Sequence, residues 1–182
     1  MSEIINHLIT SAEFRESPNH SERRTENEIT LMVIHNISLP PGRFGGSHIR
    51  NFFQNKLDVS ADKYFEEIKD LKVSSHLLIN RQGEVIQFVP FNKKAWHAGI
   101  SLYLGQKNCN EFSIGIEMEG TDSVDYTNEQ YESLKEVTLS LMKTYHKIIP
   151  DNIVGHSDIA PGRKTDPGKS FDWTRYKSDL VT

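Results

Sequence analysis

The sequence holds a single cysteine, Cys109, in 182 residues. No intrachain disulfide is possible. Neither a CxxC pair nor an HExxH run is present, so no local metal-binding signature stands out. Stretches of about 18 or more consecutive apolar residues are absent, which excludes a membrane-spanning helix. A basic excess is missing too. The 21 Lys and Arg against 25 Asp and Glu give a net charge of −4, and nucleic-acid binders usually carry a basic face. The opening stretch MSEIINHLITSAEF has neither a basic n-region nor a long apolar h-region, so no secretory signal is expected. With one cysteine, this points to a reducing compartment, the cytosol. Internal repeats, linkers and low-complexity blocks are not evident, and one domain is expected.

What is there suffices for one core. Hydrophobic residues make up 36%, with nine Phe, six Tyr and two Trp. A chain of this length buries roughly 70% of its unfolded surface. Residues 1–28, with SPNHSERRTENE, read as a polar, solvated arm wrapped on the domain, and 29–182 as the domain itself. ITLMVIHN alternates as a strand, with Leu31, Val33 and His35 on one face and Met32, Ile34 and Asn36 on the other. FSIGIEMEG is a second strand, Ile114, Ile116 and Met118 alternating with Gly115, Glu117 and Glu119. SHIRNFFQNKL and DKYFEEIKDL suggest short helices. SHLLIN, RQG and EVIQFVP form a hairpin signal. Residues 127–148 give the clearest helix, with Thr127 and Gln130 as a capping box and Pro150 beyond its end. NIVGHS reads as a short strand and FDWTRYKSDL as a closing helix capped by Asp172. The order predicts an α/β (α+β) fold: a central mixed sheet flanked by helices.

Chemistry-bearing residues gather where strands finish. His35 ends one strand, His156 another, and Glu117 lies within a third. The turn-rich stretch APGRKTDPG would bring Asp166 back toward them, with Lys164 two residues away and pointing the same way if the chain is extended. Two imidazoles and a carboxylate suit a catalytic zinc with an open position. A nearby glutamate could move a proton and a lysine could stabilise an oxyanion, a set suited to amide hydrolysis. On spacing alone, satisfied core histidines remain the commoner explanation.

Four separated stretches then add a resemblance: VIHNISLPPGRFGG, FVPFNKKAWHAG, CNEFSIGIEMEGTD and GHSDIAPGRKTDPG. Together they resemble the zinc-dependent N-acetylmuramoyl-L-alanine amidases, a group that includes phage lysozyme-type amidases and peptidoglycan recognition proteins. The similarity runs from about residue 10 to residue 178 and is strongest to the cytosolic, muropeptide-recycling branch. It implies one zinc per chain, held by His35, His156 and Asp166, with Glu117 and Lys164 as the catalytic pair. The implied substrate is a small muropeptide, 1,6-anhydro-N-acetylmuramic acid joined to L-Ala-D-Glu-meso-diaminopimelate, cut between the lactyl group and L-alanine. The same activity is implied to limit the muropeptides that signal β-lactamase induction. Trp96 and His97 are implied to line the substrate groove and Asn36 to hold the peptide backbone. Relatives carry arginines for the diaminopimelate end where this chain has Lys72 and Asn108. Lys72 keeps the charge without the bidentate fork, and Asn108 loses it, with Lys107 beside it. His76 is expected not to bind metal. His7, His20, His48 and His146 are expected at the surface, and Cys109 as a small buried hydrophobe. The segment Pro40 to Leu71 is expected to act as a lid. A monomer with no nucleic-acid or membrane partner is expected. Two other readings share the motifs: a recognition module that binds muropeptides without cutting them, and a phage-type lytic amidase.

Overall fold

The computed structural model describes residues 3–24 and 29–181. The N-terminal region contributes four short strands: β1 (Ile4–Ile5), β2 (Leu8–Ile9), β3 (Glu13–Phe14) and β4 (His20–Glu22). The domain continues with β5 (Leu31–Ile37), then two short helices, α1 (His48–Phe53) and α2 (Phe65–Ile68). The expected hairpin follows as β6 (Leu77–Ile79) and β7 (Val85–Gln87), paired antiparallel. Next come β8 (Lys93–Ala95), the small ribbon of β9 (Leu102–Tyr103) and β10 (Gln106–Lys107), and β11 (Ser113–Glu119). The long helix α3 (Asn128–Thr144), β12 (Ile153–Gly155), the single turn α4 (His156–Ile159) and α5 (Trp173–Asp179) complete the chain.

A six-stranded mixed sheet in the order β12-β5-β11-β6-β7-β3 organises the domain. Four neighbouring strands, from β12 at one edge through β5 and β11 to β6, run parallel, and parallel strands are covered on both faces. The alternation seen in the sequence maps onto two separate cores. Met32, Ile34, Ile114, Ile116 and Met118 pack with Tyr131, Leu134, Val137 and Leu141 of α3. Leu31 and Val33 face the other way, onto Ala98, Cys109, Phe112 and Ile159. Each such side chain contributes about 1.5–3 kcal/mol on burial. Cys109 is a free, buried thiol.

Helix α3 starts as the sequence indicates. The Thr127 side chain accepts from the Gln130 N–H, and the Gln130 side chain accepts from the Thr127 N–H. It ends at Thr144 rather than running on to 148, because Tyr145 leaves helical geometry at φ −113° and ψ 79°. There its hydroxyl meets His7 Nδ1 at 2.9 Å. Asp172 caps α5 by accepting from the Arg175 N–H.

The N-terminal region differs from the solvated arm that its polarity suggests. β3 pairs in parallel with β7 at the sheet edge, and β4 pairs antiparallel with β8. Ser17, Asn19 and Arg23 are buried. Their polar groups meet backbone carbonyls instead of water. Arg23 donates to the carbonyls of Phe91, Asn110, Glu111 and Ser113, at 3.1, 2.9, 2.8 and 2.7 Å. Burial lowers its pKa to about 10, with Tyr145 and Glu111 opposing, so it stays charged at neutral pH. His7, His20 and His48 are half-buried rather than exposed; His146 is exposed.

Candidate active site

Three neighbouring parallel strands set the site. β5 and β11 pair with Glu117 opposite His35. β12 pairs with β5 so that Gly155 lies opposite Ile34, and His156 follows directly. Partners in register share a face. The row His156, His35, Glu117 therefore crosses three strands on the face that Leu31 and Val33 also occupy. Asp166 is returned to this row by its own backbone, whose carbonyl accepts from the Ser157 N–H at 3.0 Å. Asp158 caps the intervening turn by accepting from the Gly155 N–H at 2.7 Å.

Three donor atoms converge. His35 Nδ1 lies 2.9 Å from His156 Nδ1, and each lies 3.1 Å from Asp166 Oδ2. The far side of each ring bears on where its proton sits. His156 Nε2 faces the Ala98 carbonyl at 3.1 Å, and a carbonyl only accepts. The Arg163 guanidinium also reaches Nε2, but at 3.4 Å, so the nearer carbonyl favours a hydrogen on His156 Nε2 and a lone pair on Nδ1. His35 Nε2 faces His97 Nδ1 at 2.9 Å, and His97 Nε2 faces Ser113 Oγ at 3.1 Å. The row could run either way, since an imidazole and a hydroxyl both donate and accept; donation from His35 to His97 to Ser113 is the direction that leaves His35 Nδ1 with a lone pair as well. Two lone pairs and a carboxylate oxygen in mutual contact repel one another unless a cation sits among them. Atoms about 2.0–2.1 Å from a tetrahedral zinc lie roughly 3.3 Å apart, close to the triangle seen. The donor set thus fits a metal ion, and His35, His156 and Asp166 are the one such cluster among the described residues.

The electrostatics agree with that chemistry. Burial first, with the charge of His156 also acting downward, lowers the pKa of His35 to about 4 against the pull of Asp166, so the ring is neutral at pH 7. For Asp166, burial acts upward, but the contacts to His156 and His35 outweigh it and hold the carboxyl below its usual range. Glu117 is pushed well above the ordinary carboxylate value, first by burial and then by Asp166, with Lys164 opposing. Its Oε2 is buried without a hydrogen-bond partner. A carboxylate kept unpartnered and proton-hungry beside a metal cluster is a candidate general base.

These groups open onto a cavity of about 350 Å³. Its lining includes Glu117, Lys164, Asn36, Trp96 and His97, with Phe52, Tyr64 and Leu71 on an apolar wall. Lys164 is exposed at the rim. Asn36 donates from Nδ2 to Asp122 Oδ1 at 2.8 Å, which orients its amide. Asp122 carries no sequence signal for this role, because its partner is 86 residues away. Trp96 donates from Nε1 to Ser21 Oγ at 3.1 Å. His97 borders the cavity, yet both ring nitrogens are engaged within the protein. Lys72 and Asn108 are exposed and are absent from this cavity's lining; Asn108 borders a separate groove with Lys107 and Arg163. His76 is a satisfied core histidine. Its Nδ1 accepts from the Gly115 N–H at 3.0 Å and its Nε2 faces the Lys93 carbonyl at 3.1 Å.

Comparison with known proteins gives the family. The profile of the N-acetylmuramoyl-L-alanine amidase family matches residues 25–169. The 1,6-anhydro-N-acetylmuramyl-L-alanine amidase AmpD of Enterobacter cloacae is 55% identical over 91% of this chain and 88% of its own length. The AmpD of Escherichia coli K12 is 53% identical over 88% and 87%. A crystal structure of a selenomethionine AmpD derivative superposes with a TM-score of 0.94 at 48% identity, covering 97% of this chain and 98% of that one. The Escherichia coli amidase AmiD, solved with anhydro-N-acetylmuramic acid-L-Ala-D-gamma-Glu-L-Lys, gives a TM-score of 0.62 at 30% identity over 84% of this chain and 57% of its own. With its mixed α/β fold and its site at the ends of three parallel strands, the chain belongs to the N-acetylmuramoyl-L-alanine amidase family.

Proposed function

We propose that this chain hydrolyses the amide bond between the lactyl group of 1,6-anhydro-N-acetylmuramic acid and L-alanine in muropeptides, using one zinc ion, in the recycling of cell-wall fragments. The observation that carries the reading is the triangle of two imidazole lone pairs and a carboxylate oxygen beside the unpartnered Oε2 of Glu117. The family and the AmpD relatives support the bond; the substrate bound by AmiD supports the sugar. On this reading the enzyme works as a monomer in the bacterial cytoplasm.

His35 and His156 would hold the ion through Nδ1, and Asp166 through Oδ2. A zinc held there would supply Lewis-acid chemistry, polarising a carbonyl and lowering the pKa of a water toward about 7. Glu117 takes the proton of the attacking water at its free oxygen and passes it to the departing alanine nitrogen. Its raised pKa matches it to both steps. Lys164, at the cavity rim, brings positive charge to the oxygen that becomes anionic. Asn36, fixed by Asp122, is oriented to hydrogen-bond the peptide. Phe52, Tyr64, Leu71 and Trp96 give the apolar surface against which a sugar ring packs.

The test is metal content together with hydrolysis of anhydromuramyl tripeptide, before and after chelation. One zinc per chain, with activity lost on chelation and restored by zinc, is the expected result. Turnover that survives complete removal of metal would overturn it. Binding without turnover would indicate a recognition module, and faster release of fragments from intact wall than from soluble muropeptide would indicate a lytic amidase.

A further inference from the structure

The two imidazoles are aimed from one place. His35 Nε2 meets the side chain of His97, and His156 Nε2 meets the carbonyl of Ala98, the next residue. This dipeptide is itself pinned. Asn110 Oδ1 accepts from both successive backbone N–H groups, His97 at 3.1 Å and Ala98 at 2.8 Å. Arg163 Nη2 donates to the same Ala98 carbonyl at 2.7 Å, leaving His156 the remaining lone pair of that oxygen. The His97 ring lies against Gly115 so closely that a Cβ there would come within 2.5 Å of it. Nothing but glycine at 115 leaves room for the ring in this position.

Hydrogen-bond partners behind a ligating histidine fix its tautomer and its aim. We infer that the dipeptide His97–Ala98, pinned by Asn110, is a single brace that sets the tautomer and direction of both imidazole ligands, so that His97 and Asn110 are positioning residues for the metal. This assigns His97 a task different from contact with substrate, since neither ring nitrogen is free to reach into the cavity. It also assigns one to Asn110, which lies in the turn Cys109–Glu111 and does not border the cavity. The inference rests on the metal reading proposed above.

The experiment measures zinc affinity by competition with a chromophoric chelator, and the visible spectrum of the cobalt-substituted protein, in the parent, His97→Phe, Asn110→Ala and Asn110→Asp. Outer partners of this kind affect metal affinity by about 10–100-fold. A loss of that size, with an altered cobalt spectrum, is expected for His97→Phe and Asn110→Ala. Asn110→Asp keeps an accepting oxygen for both N–H groups and is expected to restore affinity to within a few fold of the parent. Parent-like affinity and spectrum in both His97→Phe and Asn110→Ala would overturn the brace. Nitrogen NMR of the unaltered chain decides the matter even where a variant fails to fold. Protonation of both His35 and His156 at Nε2, with or without zinc, supports the brace; protonation of either at Nδ1 overturns it. A parent that binds no zinc would sink the metal reading, and the same NMR measurement on that metal-free chain would still decide the brace.

Discussion

Glu117 and His35 sit directly opposite in a parallel pair, so removing the charge of one need not disturb the other. Glu117→Gln is isosteric and leaves all three metal donors in place. It is expected to lower kcat by about 10²–10⁴-fold, the usual contribution of a positioned acid-base group, with zinc content unchanged. A variant that keeps more than a tenth of parent kcat would remove Glu117 from proton transfer. Lys164→Ala is expected to cost about 10²-fold or more in kcat, on the scale of losing one oxyanion donor. The buried histidines give a second test. Burial lowers His35 to about 4, and lowers His76 and His97 well below the ordinary histidine value, so the folded rings stay neutral where unfolded ones are charged. Between pH 6.5 and about 4 these rings bind fewer protons folded than unfolded, so their contribution to stability falls as pH falls, while Glu117, raised in the folded chain, acts the other way. His35 alone is expected to contribute roughly 3 kcal/mol of this loss in chelated protein. Urea melts of chelated Glu117→Gln at pH 7.5, 6 and 5, with the opposing carboxyl removed, read it; a flat stability across that range would contradict the neutral assignment. The residue types at this site were legible as candidate ligands. Their proton positions were not, because those depend on His97, Ala98 and Ser113, which no local pattern ties to His35 or His156.

Strand alternation explains why so much of the framework could be read in advance. ITLMVIHN divides between two cores, FSIGIEMEG puts Ile114, Ile116 and Met118 into one of them, and the capping box of α3 is a local device wholly contained in four residues. What local pattern does not encode is which strands become neighbours and in what register, and the site depends on just that. A slip of one residue between β5 and β11 would turn Glu117 to the opposite face from its present partner. The loop that returns Asp166 is held from outside as well. Gly168 has φ +81°, and a Cβ there would come within 2.1 Å of the Asp122 backbone. The neighbouring contacts run through Ser170, whose N–H donates to the Asp122 carbonyl at 3.2 Å. Gly168→Ala combines a left-handed backbone with a backbone clash, so it is expected to cost at least about 2 kcal/mol. It should also misplace Asp166 and Asn36 together. The combined signature is a lower Tm, weaker zinc binding and a raised KM in one variant. A loss of stability with unchanged zinc affinity would show that the two loops are independent.

At the scale of the whole molecule, the N-terminal region decides whether the domain is complete. Arg23 precedes the segment that the family profile covers, yet its guanidinium joins the carbonyls of Phe91, Asn110, Glu111 and Ser113. Two of these partners belong to the site's own supports. Asn110 carries the side chain that pins His97 and Ala98, and Ser113 ends the row of hydrogen bonds that begins at His35. The polarity of SPNHSERRTENE suggested exposure because sequence shows the charge of an arginine and not the ring of carbonyls waiting for it. Truncating that side chain leaves buried acceptors without donors, at about 1–3 kcal/mol each. Arg23→Met keeps much of the apolar stem and removes every donor. It is expected to cost on the order of 3 kcal/mol or more, a fall in Tm of roughly 6–12 °C for a chain of this size. A chain shortened to begin at Thr25 would lose the same donors together with the β3 and β4 pairings, and is expected to melt lower still. Zinc affinity should fall in both, because the supports of His97 loosen with Arg23 gone. Arg23→Met with a Tm within about 2 °C of the parent would mean that those carbonyls find other donors, and that the domain closes without its N-terminal strap.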